Sequence, residues 1–97
     1  MTTKLHDYDV AVHLRTPEEM AAYLEAAIEE GDGDAAFIAM ALGDIARAKG
    51  MAELARETGL GRESLYKALS AEGNPQLSTV LKVTRALGLQ FHVKPAA

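Results

Sequence analysis

The sequence predicts a small all-α domain of five helices with a short extended or strand segment at each end. Its 97 residues, 48% of them hydrophobic, fit one compact domain. Apolar residues recur at helical spacing in five successive stretches, and glycine or a cluster of turn-forming residues follows each stretch. In chain order we expect an N-terminal arm (residues 1–15), two helices (16–50), a pair of short helices (51–70), a last helix (76–88) and a C-terminal strand (89–94).

The first helix has both a start and a stop signal in the sequence. Thr16 suits the N-cap, Pro17 suits the first helical position, and Glu19 completes a capping box. The helix is expected to end near Glu30, with Gly31 as its C-terminal cap. Its apolar stripe consists of Met20, Tyr23, Leu24, Ala27 and Ile28.

The second helix is predicted to lie at the centre of the fold. Asp32 or Asp34 can cap its start, and it runs to about Lys49 before Gly50 ends it. Residues 35–42 are apolar almost all round the helix, and a helix of that kind is buried on more than one side.

Residues 51–70 have the form of a helix-turn-helix, which is two short helices joined by a tight turn. Ala55 is small where the two helices would cross, and Gly59 permits a left-handed turn between them. Leu65 and Leu69 would anchor the second helix of the pair on the core. An ordinary pair of packed helices has the same features, so the pair alone leaves both interpretations open.

The last helix follows a turn cluster at residues 71–75 and is ended by Gly88. Residues 89–94 alternate apolar and polar side chains, so we expect a short C-terminal strand that Pro95 stops. The predicted inward face of the helix consists of Leu77, Val80, Leu81, Thr84 and Leu87.

Further motifs carry a family resemblance. The turn Gly73-Asn74-Pro75, followed by residues 77–83 and 85–89, makes residues 51–93 resemble the Cro/repressor-type (Xre) helix-turn-helix domain. Nearly the whole chain is similar to a narrower group, the probable addiction-module antidote proteins. The motifs that it shares with this group lie at residues 16–19, 23–24, 41–51 and 59–69. The resemblance implies a λ-repressor-like fold and an antitoxin that neutralises a small toxin, often a ribosome-dependent ribonuclease, and represses its own operon.

The helix geometry predicts a DNA-binding face on the fourth helix. With Leu65 and Leu69 inward, a rotation of about 100° per residue turns the remaining residues towards a major groove. Candidates for base or phosphate contact are Arg62, Glu63, Ser64, Tyr66, Lys67 and Ser70. Candidates for phosphate contact at the start of the last helix are Gln76, Ser78 and Thr79, because unpaired N–H groups point outward there. A solvated helix face is the alternative for each of them.

One position departs from the wider family. Gly61 stands where the family often carries Ser, which caps the second helix of the pair and can bind phosphate. Glycine caps a helix more weakly, by a few tenths of a kcal/mol. The departure therefore removes one possible phosphate contact.

Two protein partners are also expected. Single domains of this type bind palindromic double-stranded operators as dimers, so we expect a homodimer in contact through residues 89–93 and the last helix. A cognate small basic toxin is the second partner, and an extended arm can add a strand to a partner's sheet. The candidate toxin-binding residues are Asp7, Tyr8, Asp9, Val10, Val12 and Leu14.

Two other functions stay open from the sequence. One is a plain small DNA-binding transcriptional regulator that has no toxin partner. The other is an interaction module that occludes a toxin without binding DNA. The occluding module would bind the toxin yet show no salt-dependent affinity for its own promoter. The plain regulator would have no small basic protein encoded beside it.

Composition excludes several classes of function. The chain has no Cys, which rules out disulfides, thiol catalysis and cysteine-ligated zinc. No phosphate-binding glycine loop or catalytic triad occurs, and His6, His13 and His92 are not grouped as ligands, so we expect no enzyme activity, cofactor or metal. The longest apolar run is far shorter than the roughly 20 residues that span a bilayer, and the N-terminus lacks a signal-peptide pattern. We therefore expect a cytoplasmic protein without membrane contact.

The net charge divides unevenly along the chain. The formal net charge of −4 argues against a nucleic-acid partner when the chain is taken as a whole. Residues 1–50 hold four basic and ten acidic residues, a net charge of −6. Residues 51–97 hold six basic and four acidic residues, a net charge of +2. The half that carries the helix-turn-helix motif is therefore mildly basic.

Overall fold

A computed structural model of the protein describes residues 14–70 and 72–96. Within these residues the chain forms five helices and no strand. The helices are α1 (Pro17–Gly31), α2 (Ala35–Lys49), α3 (Met51–Thr58), α4 (Arg62–Ala68) and α5 (Leu77–Ala86). The predicted all-helical class with five helices is confirmed. The predicted N-terminal strand in the arm lies outside the described residues.

The predicted C-terminal strand is wrong. Residues 89–94 contain no ladder hydrogen bonds, and no strand lies beside them in the described part of the chain. The backbone N–H of Leu89 instead donates to the carbonyl oxygen of Thr84 at 2.9 Å. Val93 is 96% exposed. Alternation of apolar and polar residues makes a strand only where a partner strand completes the hydrogen bonds, and none of the described residues does so.

Both ends of α1 show why the helix has these bounds. The predicted capping box is confirmed, because Thr16 Oγ1 accepts from the Glu19 backbone N–H at 3.1 Å and Glu19 Oε1 accepts from the Thr16 N–H at 3.2 Å. The left-handed residue at the other end is Asp32, with φ 52°, and not Gly31. A side chain at position 31 would crowd the Phe37 side chain, since a Cβ there would lie 2.9 Å from Phe37 Cδ2.

The second helix, α2, lies at the centre of the core, as predicted. Every residue from Ala41 to Ala46 is buried, so this helix is surrounded on all sides over almost two turns. α1 packs along α2, and α3 packs against α2, α4 and α5. The largest fully buried side chains come from α2, α3, α5 and the α4 segment: Leu42, Ile45, Leu54, Leu65, Leu69 and Val83.

Two glycines let helices approach closely. A Cβ on Gly43, in the middle of α2, would overlap the backbone carbonyl oxygen of Leu69 at the end of α4. A Cβ on Gly73, in the turn before α5, would overlap the carbonyl oxygens of Lys67 and Ala68. Both contacts are with backbone atoms, which have little freedom to move aside. The end of α4 is therefore clamped between α2 and the following turn.

A buried carboxylate joins α1 to α2. Asp44, only 7% exposed, accepts a hydrogen bond from the Tyr23 hydroxyl at 2.7 Å and another from Arg47 Nη2 at 3.1 Å. Burial, with the hydrogen bond and charge of Asp44, raises the pKa of Tyr23 well above its usual range. The pairing satisfies a charge that would otherwise be costly to bury.

The inward face of α5 differs in part from the prediction. Leu77 is 70% exposed and Leu81 is 46% exposed, so neither belongs to the core. Thr84 and Leu87 are buried, as predicted, and Val83, which the prediction left out, is buried as well. Leu77 is the first residue of the helix and precedes the part of α5 that packs on the core, and Leu81 lies at the side of the buried stripe.

The close contact between Gly43 and the Leu69 carbonyl oxygen predicts that adding one methyl group at position 43 destabilises the fold. Gly43→Ala should lower the free energy of unfolding by about 1–3 kcal/mol, because overpacking against backbone outweighs the better helix propensity of alanine. Urea denaturation measures this difference. Gly61→Ala is the control, since its Cβ would meet only Ser64 Oγ at 3.9 Å. Equal stability of the Gly43 variant and the wild type would contradict the close approach.

The Tyr23–Asp44 pair predicts a pH-dependent effect. Because the pKa of Tyr23 is higher in the folded chain than in the unfolded one, its contribution is present below about pH 10 and is lost as the pH rises further. Tyr23→Phe should cost about 1–3 kcal/mol near neutral pH by leaving Asp44 short of a donor, and the difference from wild type should shrink above pH 10. Urea denaturation at both pH values tests this, with exposed Tyr66→Phe as control. A difference that stays constant with pH would count against it.

Candidate functional site

The connection between α3 and α4 is a tight turn that fixes the relative position of the two helices. Gly59 has φ 78° and donates its N–H to the carbonyl oxygen of Ala55 at 2.9 Å. The hydroxyl of Thr58 donates to the Leu54 carbonyl oxygen at 2.8 Å and accepts from the Leu60 N–H at 3.3 Å. These bonds pair backbone carbonyl and N–H groups at the end of α3 that would otherwise lack a partner within the helix. The positive φ of Gly59 matches the left-handed turn that the sequence predicts.

One side of α4 packs on the hydrophobic core, and the other side is exposed to solvent. Leu65 and Leu69 are fully buried, as predicted. The residues with exposed side chains are Arg62, Glu63, Ser64, Tyr66 and Lys67. These five belong to the group predicted to contact DNA, and that role stays a prediction.

The sixth predicted contact on this segment, Ser70, has a structural role. Its hydroxyl donates to the carbonyl oxygen of Lys67 at 2.9 Å, and the residue is half-buried. This bond satisfies one of the unpaired carbonyl groups at the end of α4. Ser70 is therefore less available to an outside partner than the five exposed residues.

The predicted phosphate contacts at the start of α5 belong to a separate helix. Gln76 and Ser78 are exposed, and Thr79 is half-buried. Gln76 is the N-cap of α5, which has no side-chain cap. The turn at Gly73 packs against the end of α4, and α5 begins shortly after it, at Leu77. The start of α5 is therefore close in the chain to the end of α4.

Of the six predicted toxin-binding residues, the structure describes only Leu14. Leu14 is 3% exposed and belongs to the hydrophobic core together with Met20 and Leu24. Because its side chain packs in the core, Leu14 is not available on the surface to a partner. The other five, Asp7, Tyr8, Asp9, Val10 and Val12, lie outside the described residues.

Sequence reasoning missed two exposed apolar residues near the α1–α2 connection. Ile28 was assigned to the inward stripe of α1, yet it is 39% exposed. Phe37 is also 39% exposed, although it stands in the most apolar part of the chain. Helical spacing could not separate them from the core residues, since both continue an apolar stripe.

Residues 14–70 and 72–96 offer neither a metal-binding cluster nor a membrane-spanning helix. In that part of the chain no group of three His, Cys, Asp or Glu residues is placed to hold a metal ion. No helix there combines the length and the apolar character needed to cross a bilayer.

Comparison with known proteins covers nearly the whole chain. A protein-family model described as "Probable addiction module antidote protein" matches residues 4–95. An uncharacterized protein of Haemophilus influenzae is 51% identical over 94 residues, which cover 97% of this chain and 95% of that protein. No solved structure gives a significant match. Both matches include α1 and α2 as well as the α3–α4 pair.

Proposed function

This chain belongs to the family of probable addiction module antidote proteins, and we propose from that premise that it is the antitoxin of a type II toxin–antitoxin module. It neutralises a small toxin, of the ribonuclease type, by direct binding. It acts without catalysis or a cofactor, and it works in the cytoplasm. The family match over residues 4–95 is the observation that carries this proposal.

The same chain binds operator DNA and represses its own operon, with α3 and α4 as a helix-turn-helix of the Xre type. A helix that is anchored on one side and polar on the other is what a major groove admits. Lys67 donates to guanine or to phosphate, Glu63 accepts from the amino group of cytosine, and Ser64 does either.

The remaining candidates position the helix on DNA. The Tyr66 hydroxyl reaches a phosphate or its ring meets a thymine methyl group, and Arg62 binds a phosphate. Gln76, Ser78 and Thr79 bring the uncapped start of α5 to the backbone, where its N–H groups favour an anion. Since residues 51–97 carry a net charge of only +2, the electrostatic share of the affinity is small and its salt dependence is shallow.

DNA binding of this kind uses two copies of the chain. Two recognition helices spaced one turn of DNA apart read the two halves of a palindrome. The exposed Leu77 and Leu81 of α5, with Phe91 and Val93 beyond it, offer the apolar surface for a homodimer. A protein that stays monomeric at tens of micromolar, with no dimer induced by DNA, would contradict this contact.

The antitoxin role predicts rescue of growth. The protein encoded by the reading frame adjacent to this gene should arrest growth when expressed alone, and co-expression of this chain should restore growth. The Lys67→Ala variant should restore growth equally well, because neutralisation does not need DNA. Absence of both rescue and binding would contradict the antitoxin role, whereas rescue without promoter binding would indicate an occluding module only.

The DNA role predicts a loss of operator affinity on removal of one side chain. Lys67→Ala should weaken binding to the DNA upstream of this gene by about 1–3 kcal/mol if Lys67 contacts a base. Fluorescence anisotropy at fixed salt measures the change, and the exposed Lys94→Ala serves as a charge-matched control. An unchanged affinity would remove Lys67 from the DNA-binding surface.

A further inference from the structure

Residues 16–46, which form α1 and most of α2, carry charges of one sign. Between Thr16 and Ala46 there are eight acidic residues and no Lys, Arg or His. One of the eight, Asp44, is buried and bonded within the fold. Glu19 and Asp34 cap helices. The five that remain have exposed side chains that cap no helix, although the backbone of Asp32 ends α1: Glu18, Glu25, Glu29, Glu30 and Asp32.

An apolar pair lies among these carboxylates. The Phe37 ring packs over Gly31, since a Cβ there would lie within 2.9–3.3 Å of three Phe37 atoms. Ile28 precedes Gly31 by three residues, so it lies on the same face of α1. Phe37 and Ile28 are each 39% exposed. Glu25 and Glu29, one turn apart, lie beside Ile28 on α1. We call the surface formed by Ile28, Phe37, Glu25 and Glu29 the hairpin tip.

The charge on the hairpin tip decides what kind of partner fits it. Carboxylates repel the phosphates of DNA and the headgroups of anionic lipids. A second copy of the chain is also disfavoured, because a closed two-fold interface places the same patch against itself and brings carboxylates together. A cationic protein with an apolar depression suits both the charges and the two apolar side chains.

We propose that the hairpin tip is the docking surface for the toxin, a small basic protein, with Phe37 as the central apolar anchor and the glutamates as a rim. The inference rests on the proposed antitoxin function. An aromatic side chain at the centre of an interface, with contacts around it that exclude water, often supplies much of the binding energy. The rim steers a basic partner towards it. All these residues belong to α1 and α2, so toxin and DNA use different helices.

The test is calorimetry and stopped-flow binding with the purified protein from the adjacent reading frame as the probe. Phe37→Ala should weaken binding at least about tenfold. The double variant Glu25→Gln, Glu29→Gln should slow association and flatten its dependence on salt. The control variant is Glu57→Gln, Glu72→Gln, which removes exposed carboxylates outside α1 and α2 and should bind within about twofold of wild type.

The outcomes separate the two proposals. If the wild type binds the toxin and both hairpin-tip variants bind equally well, the docking surface is wrong and the antitoxin role stands. If the wild type does not bind, the antitoxin role fails and this inference fails with it. If Phe37→Ala proves unfolded by circular dichroism, the double variant decides, because both of its positions are exposed. If Phe37→Ala instead yields a monomer with unchanged toxin affinity, the tip is a self-association surface and the inference is overturned.

Discussion

The close approach of α2 to the end of α4 is the constraint on which the rest of the structure depends. Gly43 leaves room for the Leu69 carbonyl oxygen, and so the end of α4 lies directly on the central helix. Gly73 lies against the carbonyl oxygens of Lys67 and Ala68 in the same segment. A seven-residue helix is too short to be stable alone, so this clamp, together with buried Leu65, keeps α4 folded and its polar side exposed.

The same part of α2 also holds α1. Asp44 follows Gly43 directly and binds the Tyr23 hydroxyl of α1, while Arg47 one turn later binds the same carboxylate. A buried charge is tolerated only when it is paired in this way. Two consecutive residues of one helix thus connect the acidic N-terminal pair of helices to the segment that carries the candidate DNA contacts. A chain of only 97 residues has a modest core, which makes such specific contacts important.

The division of charge along the chain corresponds to a division of surfaces. The exposed Ile28 and Phe37 lie near the end of α1 and the start of α2, and the exposed Glu25 and Glu29 share the face of α1 that carries Ile28. The basic residues of the second half include Arg62 and Lys67 on the exposed side of α4. One small domain therefore presents two faces whose charges favour opposite kinds of partner, which suits a protein of the antidote family.

The sequence by itself determined the features that depend on near neighbours in the chain. The capping box at Thr16 and the left-handed Gly59 are set by residues within one or two turns, and both were predictable. The spacing of Leu65 and Leu69 also predicted that they lie on one face of α4. Only the tertiary structure decided which apolar stripes are covered, because burial depends on elements distant in sequence. Leu14 therefore belongs to the core and Ile28 and Leu77 are exposed. Residues 89–94 form no strand, because none of residues 14–70 and 72–88 provides a partner strand.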